Sequence, residues 1–284
     1  MKHKPHLAGG LAIVALVSAA FAVDLHFDTL KQTEIENRLK SFSRNDTERE
    51  AILKNLFVAA GCAEHLSEQA VKHLREPNLI CVLPGQNEAA IIVGAHFDHA
   101  DEGDGVVDNW SGASLLPSLY EGLRVQARQH TFLFVAFAGE EKGDVGSEAY
   151  VRNMSNQDVT RTKAMINLEC LGLGETKVWQ SHSDPKLVAA LNALANGLKL
   201  PLGAVNVERV GTSDSEQFAN RKIPRITIHS LTQDTLPILH SRKDKLDALH
   251  LDDYYETYRL LSGYLVYLDT SLELADPSGH AVGR

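Results

Sequence analysis

The feature that most restricts how this chain can fold is a series of five short apolar runs, at residues 78–83, 89–95, 131–138, 163–171 and 223–229. Each is bounded by glycine, proline or polar residues, the signature of strands buried on both faces. Residues 113–128, 147–154, 185–198 and 254–274 lie between or after them and carry helical spacing. Strands alternating with helices predict an α/β domain of three layers, α/β/α, around a central mixed, largely parallel sheet. The length, 284 residues, and the absence of an internal repeat make this one compact domain.

Residues 24–75 read differently, as helical and polar-rich. Ile52, Leu53, Leu56, Phe57 and Ala60 fall at helical spacing after an Asn45-Asp46-Thr47 start signal, and Gly61 is a natural stop. The expectation is a helical segment over 24–77 packed on a larger domain over 78–275.

The first residues are of another kind. Lys2 and Lys4 precede an uncharged, mostly apolar run from Leu7 to Val23, and Ala20-Phe21-Ala22 offers small residues at the positions a signal peptidase reads. That layout predicts a signal peptide over 1–22 and a secreted or periplasmic protein. The alternative is an uncleaved membrane anchor through 7–23. Formal net charge is −9, and loss of the two leader lysines makes the chain more acidic. Without a basic stripe it is a poor partner for nucleic acid or anionic membranes. Three cysteines, Cys62, Cys81 and Cys170, show no CxxC spacing, which argues against a thiolate zinc site. Export permits a Cys62–Cys81 disulfide, leaving Cys170 as a small buried residue in a strand-like stretch.

The polar residues that close the apolar runs matter more than the runs themselves. Gly94-Ala95-His96-Phe97-Asp98-His99, Gly139-Glu140-Glu141 and Asn167-Leu168-Glu169 each sit at the end of a run. In open α/β sheets the carboxyl ends of strands are where ligands collect. Taken singly, each motif has an ordinary reading: a polar strand end, two solvated loop acids, or a helix cap at Asp108 with Ser111 or Asn109. Taken together with His240, they supply two imidazoles and three carboxylates. That set gives each of two zinc ions one imidazole and one terminal carboxylate, with Asp108 bridging, and leaves Glu140 free as a general base. Among the other histidines only His99 and His229 have contexts suited to a supporting role.

In that order the motifs resemble the co-catalytic di-zinc aminopeptidase family, zinc exopeptidases whose relatives include glutamate carboxypeptidases and glutaminyl cyclases. The markers run through Gly94-Ala-His-Phe-Asp98, Asp108-Asn-Trp-Ser-Gly112, Gly139-Glu-Glu141, Asn167-Leu-Glu169, Ser213-Asp-Ser215 with Phe218, and His240 with Asp244. The resemblance covers roughly 78–270. It implies a zinc metallo-aminopeptidase acting on peptide or aminoacyl substrates, with ligands His96, Asp108, Glu141, Glu169 and His240. It further implies Glu140 as base, Asp98 as the acid orienting His96, and a cis peptide bond after Asp108. Two departures stand out: Glu169 occupies a position commonly held by Asp, and Leu239 stands where some relatives place an oxyanion-steadying Tyr. The rival readings are a mono-zinc glutaminyl-peptide cyclotransferase and a non-catalytic binding protein on the same fold. Serine-hydrolase chemistry is disfavoured because no Gly-x-Ser-x-Gly elbow occurs.

Overall fold

A computed structural model describes residues 11–18, 21–208 and 213–272. Of the expected leader, residues 1–10 and 19–20 lie outside the described residues. The rest pairs as an antiparallel hairpin, β1 (Leu11–Ser18) with β2 (Phe21–Asp28). Two helices follow, α1 (Gln32–Leu39) and α2 (Asp46–Ala59). Asn45 caps α2 by accepting from the Glu48 N–H, as its start signal requires. The segment is not wholly helical, since it also contains β2 and β3 (Leu66–Gln69). β3 has no long apolar run because it is an exposed edge, paired among the described residues on one side only, with β4 (Asn78–Leu83).

The remaining elements in chain order are β5 (Ala90–His96), the short helix α3 (Ser111–Ala113), α4 (Leu116–Arg124), β6 (Thr131–Phe137), α5 (Val145–Asn153) and α6 (Asn156–Arg161). Then come β7 (Thr162–Leu168), β8 (Lys177–Val178), α7 (Pro185–Leu198), β9 (Gly203–Ala204), α8 (Ser215–Ala219), β10 (Arg225–His229) and α9 (Leu251–Ser271). The eight-stranded sheet has the order β3-β4-β6-β5-β7-β10-β8-β9. Its centre, β6-β5-β7-β10, is parallel, while β3, β4 and the β10–β8 junction are antiparallel.

Period-two alternation divides the central strands between two cores. Ile91, Val93, Phe132, Phe134, Ala164 and Ile166 face the larger one, shared with residues of α2, α4, α7 and α9. Ile92, Val135, Phe137 and Met165 face the smaller one, where Phe137, Tyr150 and Phe218 meet with ring centroids about 6 Å apart. Helices thus cover both faces, giving the mixed α/β/α architecture. Cys62, just past α2, is bonded to Cys81 on β4, tying the N-terminal segment to the sheet. Cys170 is buried and free, but it lies just past β7 rather than within it, at φ 45°. Among the described residues no helix is long and apolar enough to cross a membrane.

Candidate metal centre

Three adjacent parallel strands bring their carboxyl ends to one edge. β5 ends in His96, whose register partner on β6 is Phe137, and β7 on the other side ends at Leu168. His96, Glu140-Glu141 and Glu169 therefore leave the sheet together. Gly139 makes the turn after β6 at φ 72°, a left-handed backbone that a side chain disfavours, and an added Cβ would lie 2.7 Å from Val145. The Asp98 carboxylate then accepts the N–H groups of Glu140 at 3.0 Å and Glu141 at 3.2 Å, holding both acids in place.

Asp108 arrives from the tight turn Val106–Trp110, and its bond to Asn109 is cis. The Asp244 carboxylate accepts from the Val107 N–H at 2.7 Å and the Asp108 N–H at 3.2 Å. The Asn109 amide donates to the Leu168 carbonyl at 2.8 Å, and its oxygen accepts from Gly112 and Cys170, each at 3.1 Å. One side chain thus fixes the Asp108 turn against the strand end that carries Glu169. His240 comes from the loop before α9, at φ 50°.

The five residues converge as two triads. His96 Nε2 is 3.2 Å from Glu169 Oε1 and 3.3 Å from Asp108 Oδ1. His240 Nε2 is 3.2 Å from Asp108 Oδ2 and 3.1 Å from Glu141 Oε2. Asp108 presents one oxygen to each triad, and within each the candidate donor atoms lie within 4.8 Å of one another. His96 is 1 % exposed and the His240 side chain 54 %, so one triad is closed and the other opens to solvent. Glu140 Oε2 sits 3.8 Å from His96 Nε2, outside both triads.

The donor set suits a pair of divalent cations. Imidazole nitrogen with carboxylate oxygen is zinc-compatible ligation, and the buried Glu141 Oε1 has no hydrogen-bond partner. Without cations the site is held by protons. Hydrogen bonds to Asp108 and then Glu141 push His240 up to about 10. Burial works against ionised Asp108, yet its bonds to His240 and His96 hold its carboxyl far below the usual range. Glu140 is driven the other way, to about 10, by burial and by Glu169 and Asp214 against the pull of His96. Burial also lifts Asp214, within electrostatic reach of His96 and Glu169, to about 8.

Not every expected support is found where the sequence put it. His96 Nδ1 does face Asp98, 3.3 Å from its carbonyl and 3.6 Å from its carboxylate, and against the effect of burial the pairing with His96 lowers the Asp98 carboxyl. The Asp98 carboxylate serves the Glu140-Glu141 turn as well. His99 pairs with Asp46 at 2.8 Å, and His229 uses both ring nitrogens on backbone groups of Val205 and Leu231. Neither histidine supports the triads. Ser213 and Ser215 bond each other at 3.0 Å and Phe218 packs in the smaller core, so within that motif it is Asp214 that faces the triads.

A family model described as peptidase family M28 matches residues 78–265. The chain belongs to peptidase family M28. Relatives include a "Probable leucine aminopeptidase" of Arthroderma benhamiae, 25% identical over 229 residues, covering 75% of this chain and 64% of that protein. Aminopeptidase YwaD of Bacillus subtilis is 24% identical over 171 residues, 56% of this chain and 36% of that protein. The chain thus spans less than two thirds of the length of these relatives. In fold it is similar to the LapA aminopeptidase of Legionella pneumophila, with a TM-score of 0.72 at 21% identity over 89% of this chain and 79% of that one. It is equally similar to a glutaminyl cyclase of an Acidobacteriales bacterium, with a TM-score of 0.72 at 17% identity over 88% of this chain and 99% of that one. The M28 match begins at β4, so β1–β3, α1 and α2 precede the family region.

Proposed function

We propose that this M28 chain is an exported zinc aminopeptidase that hydrolyses N-terminal peptide bonds. The observation that carries the reading is the pair of triads sharing Asp108, with Glu140 beside them and outside both. His96, Asp108 and Glu169 would hold one zinc and Asp108, Glu141 and His240 the other. Aminopeptidases among the relatives, and the zinc aminopeptidase of B. subtilis among similar folds, support the same choice. When bound, zinc polarises a carbonyl and lowers the pKa of water.

The chain's own residues do the rest. Glu140 is half-buried and free of the triads, so its carboxylate can take a proton from water and deliver it to the leaving amine. Asp98 keeps Glu140 on station through its backbone N–H. The closed His96 triad excludes solvent from one side, and the open His240 triad leaves the approach for substrate. Export rests on the leader pattern and agrees with the Cys62–Cys81 disulfide.

The test is a panel of aminoacyl anilides assayed with and without chelator, alongside zinc counting. Two zincs per chain with chelator-sensitive cleavage is the expected result. One tightly held zinc, no anilide cleavage and cyclisation of N-terminal glutamine would select the cyclase instead. No zinc and no turnover would leave a binding protein.

A further inference from the structure

We propose that Arg49, on α2 ahead of the M28 region, is a positioning residue of the metal centre, and that residues 24–77 are an integral part of the catalytic unit. The inference rests on the two-metal reading above. Arg49 is fully buried, and all three of its guanidinium nitrogens donate to main-chain carbonyls. Nε donates to Ser43 at 2.6 Å, Nη1 to Phe97 at 2.9 Å, and Nη2 to Asp104 at 2.6 Å and Gly105 at 2.9 Å. Its carbon lies 5.6 Å from the Trp110 ring centroid, at cation–π distance.

These acceptors are not scattered. Phe97 is the residue between His96 and Asp98. Gly105 opens the turn Val106–Trp110 that delivers Asp108. One planar group therefore joins the strand end carrying His96 to the loop carrying Asp108, the carboxylate shared by the two triads. From the far side Asp244 grips the same turn through Val107 and Asp108. Gly105 is shaped to this arrangement, because an added Cβ would come within 2.7 Å of Arg49 Nη2.

Electrostatics favour the same role. A buried guanidinium costs several kcal/mol unless charge and hydrogen bonds compensate it. Among the described residues no carboxylate pairs with Arg49 directly. Burial lowers it to about 10, and Asp46, Asp244, Asp98 and Asp108 pull in the opposite direction. After Asp46, the compensating field comes from three acids of the site, so cation and site are built to coexist. Lysine cannot replace the fork, since an ammonium has three donors and no planar spread.

The experiment compares the full chain with Arg49→Lys, Arg49→Gln and Leu53→Ala. Leu53 is buried on the same helix one turn along and its aliphatic side chain has no donor for the loop carbonyls, so it matches a loss of packing alone. Zinc affinity is measured by competition with a chromophoric chelator, melting of the metal-free forms is followed, and kcat and KM are read on an aminoacyl anilide. Loss of a group that orients ligands costs about 10–100-fold in metal affinity or activity. Both Arg49 variants should lose zinc affinity in that range and lose kcat more than KM, whereas Leu53→Ala lowers the melting temperature with near-normal affinity. Arg49→Lys, which keeps the charge, guards against a Gln variant that fails to fold. A folded Arg49→Lys with wild-type zinc affinity, or a Leu53→Ala that loses as much affinity, overturns the proposal. Wild-type chain that binds no zinc overturns the two-metal reading instead, and this inference with it.

Discussion

At the scale of single residues, Glu140 and His229 show how burial sets a group's task. Glu140 binds in neither triad yet stands 3.8 Å from His96 Nε2. Glu140→Gln keeps the shape and removes the proton acceptor, and general-base work is worth about 10²–10⁴-fold. Turnover should fall by that factor with zinc content unchanged, measured by steady-state kinetics and metal analysis on one sample. Loss of zinc together with activity would make Glu140 a ligand. His229 is buried and neutral: its Nδ1 accepts from the Leu231 N–H and its Nε2 donates to the Val205 carbonyl. Burial lowers it from 6.5 to about 4. Below pH 6.5 the unfolded chain binds a proton that the folded chain refuses, so stability is complete above 6.5 and drains away toward pH 4. The difference in unfolding free energy between wild type and His229→Gln should therefore change by about 3 kcal/mol from pH 7 to pH 4. A flat difference across that range would mean that His229 takes up its proton as readily in the folded chain as in the unfolded one.

At the scale of elements, the N-terminal segment is fastened by Cys62–Cys81, a bridge spanning 19 residues from the end of α2 to β4. Opening a loop of that size costs about 3 kcal/mol in the chain-entropy account. The Cys62→Ala/Cys81→Ala variant should lose about that much in urea melts, and reduced wild type should melt alongside it. The elements that the sequence made legible are those that bury an uninterrupted apolar face: β4, β5, β6, β7, β10, and α7, whose bounds 185–198 match. Their carboxyl ends were legible too, because His96, Glu140-Glu141 and Glu169 interrupt apolar runs with charge. β8 and β9, two residues each, and the exposed edge β3 carry no pattern long enough to read. Arg49 was hidden by its neighbours. With Leu53 and Phe57 it completes an i, i+4, i+8 buried stripe on α2, and a lone arginine in such a stripe is the available sequence signal for a guanidinium facing inward.

At the scale of the whole molecule, the sheet gathers seven acids at one edge: Asp98, Asp108, Glu140, Glu141, Glu169, Asp214 and Asp244. Arg49, His96 and His240 are the positive groups set among them. Buried like charges repel, and without cations the folded chain answers by holding protons. Burial lifts Asp244 to about 6 and Asp214 to about 8. Both values lie above the ordinary carboxylate range, so each group's contribution is complete near pH 4 and is lost as pH rises through 6 and then 8. His240, at about 10, adds a loss in the same direction above 6.5. A bound cation reverses the trend, because it prefers ionised carboxylates and neutral imidazoles and expels the protons. Zinc should therefore raise the melting temperature, by on the order of 10 °C at a thousandfold excess over its dissociation constant. The gap between zinc-loaded and chelator-treated chain should widen steadily from pH 5 to pH 8. His229 titrates in both forms and cancels from that gap, so the slope reports the acidic edge itself. Calorimetric scans at four pH values decide it: a gap that stays flat with rising pH would mean the acids are already ionised without metal, and the protons proposed to hold the metal-free site together would be absent.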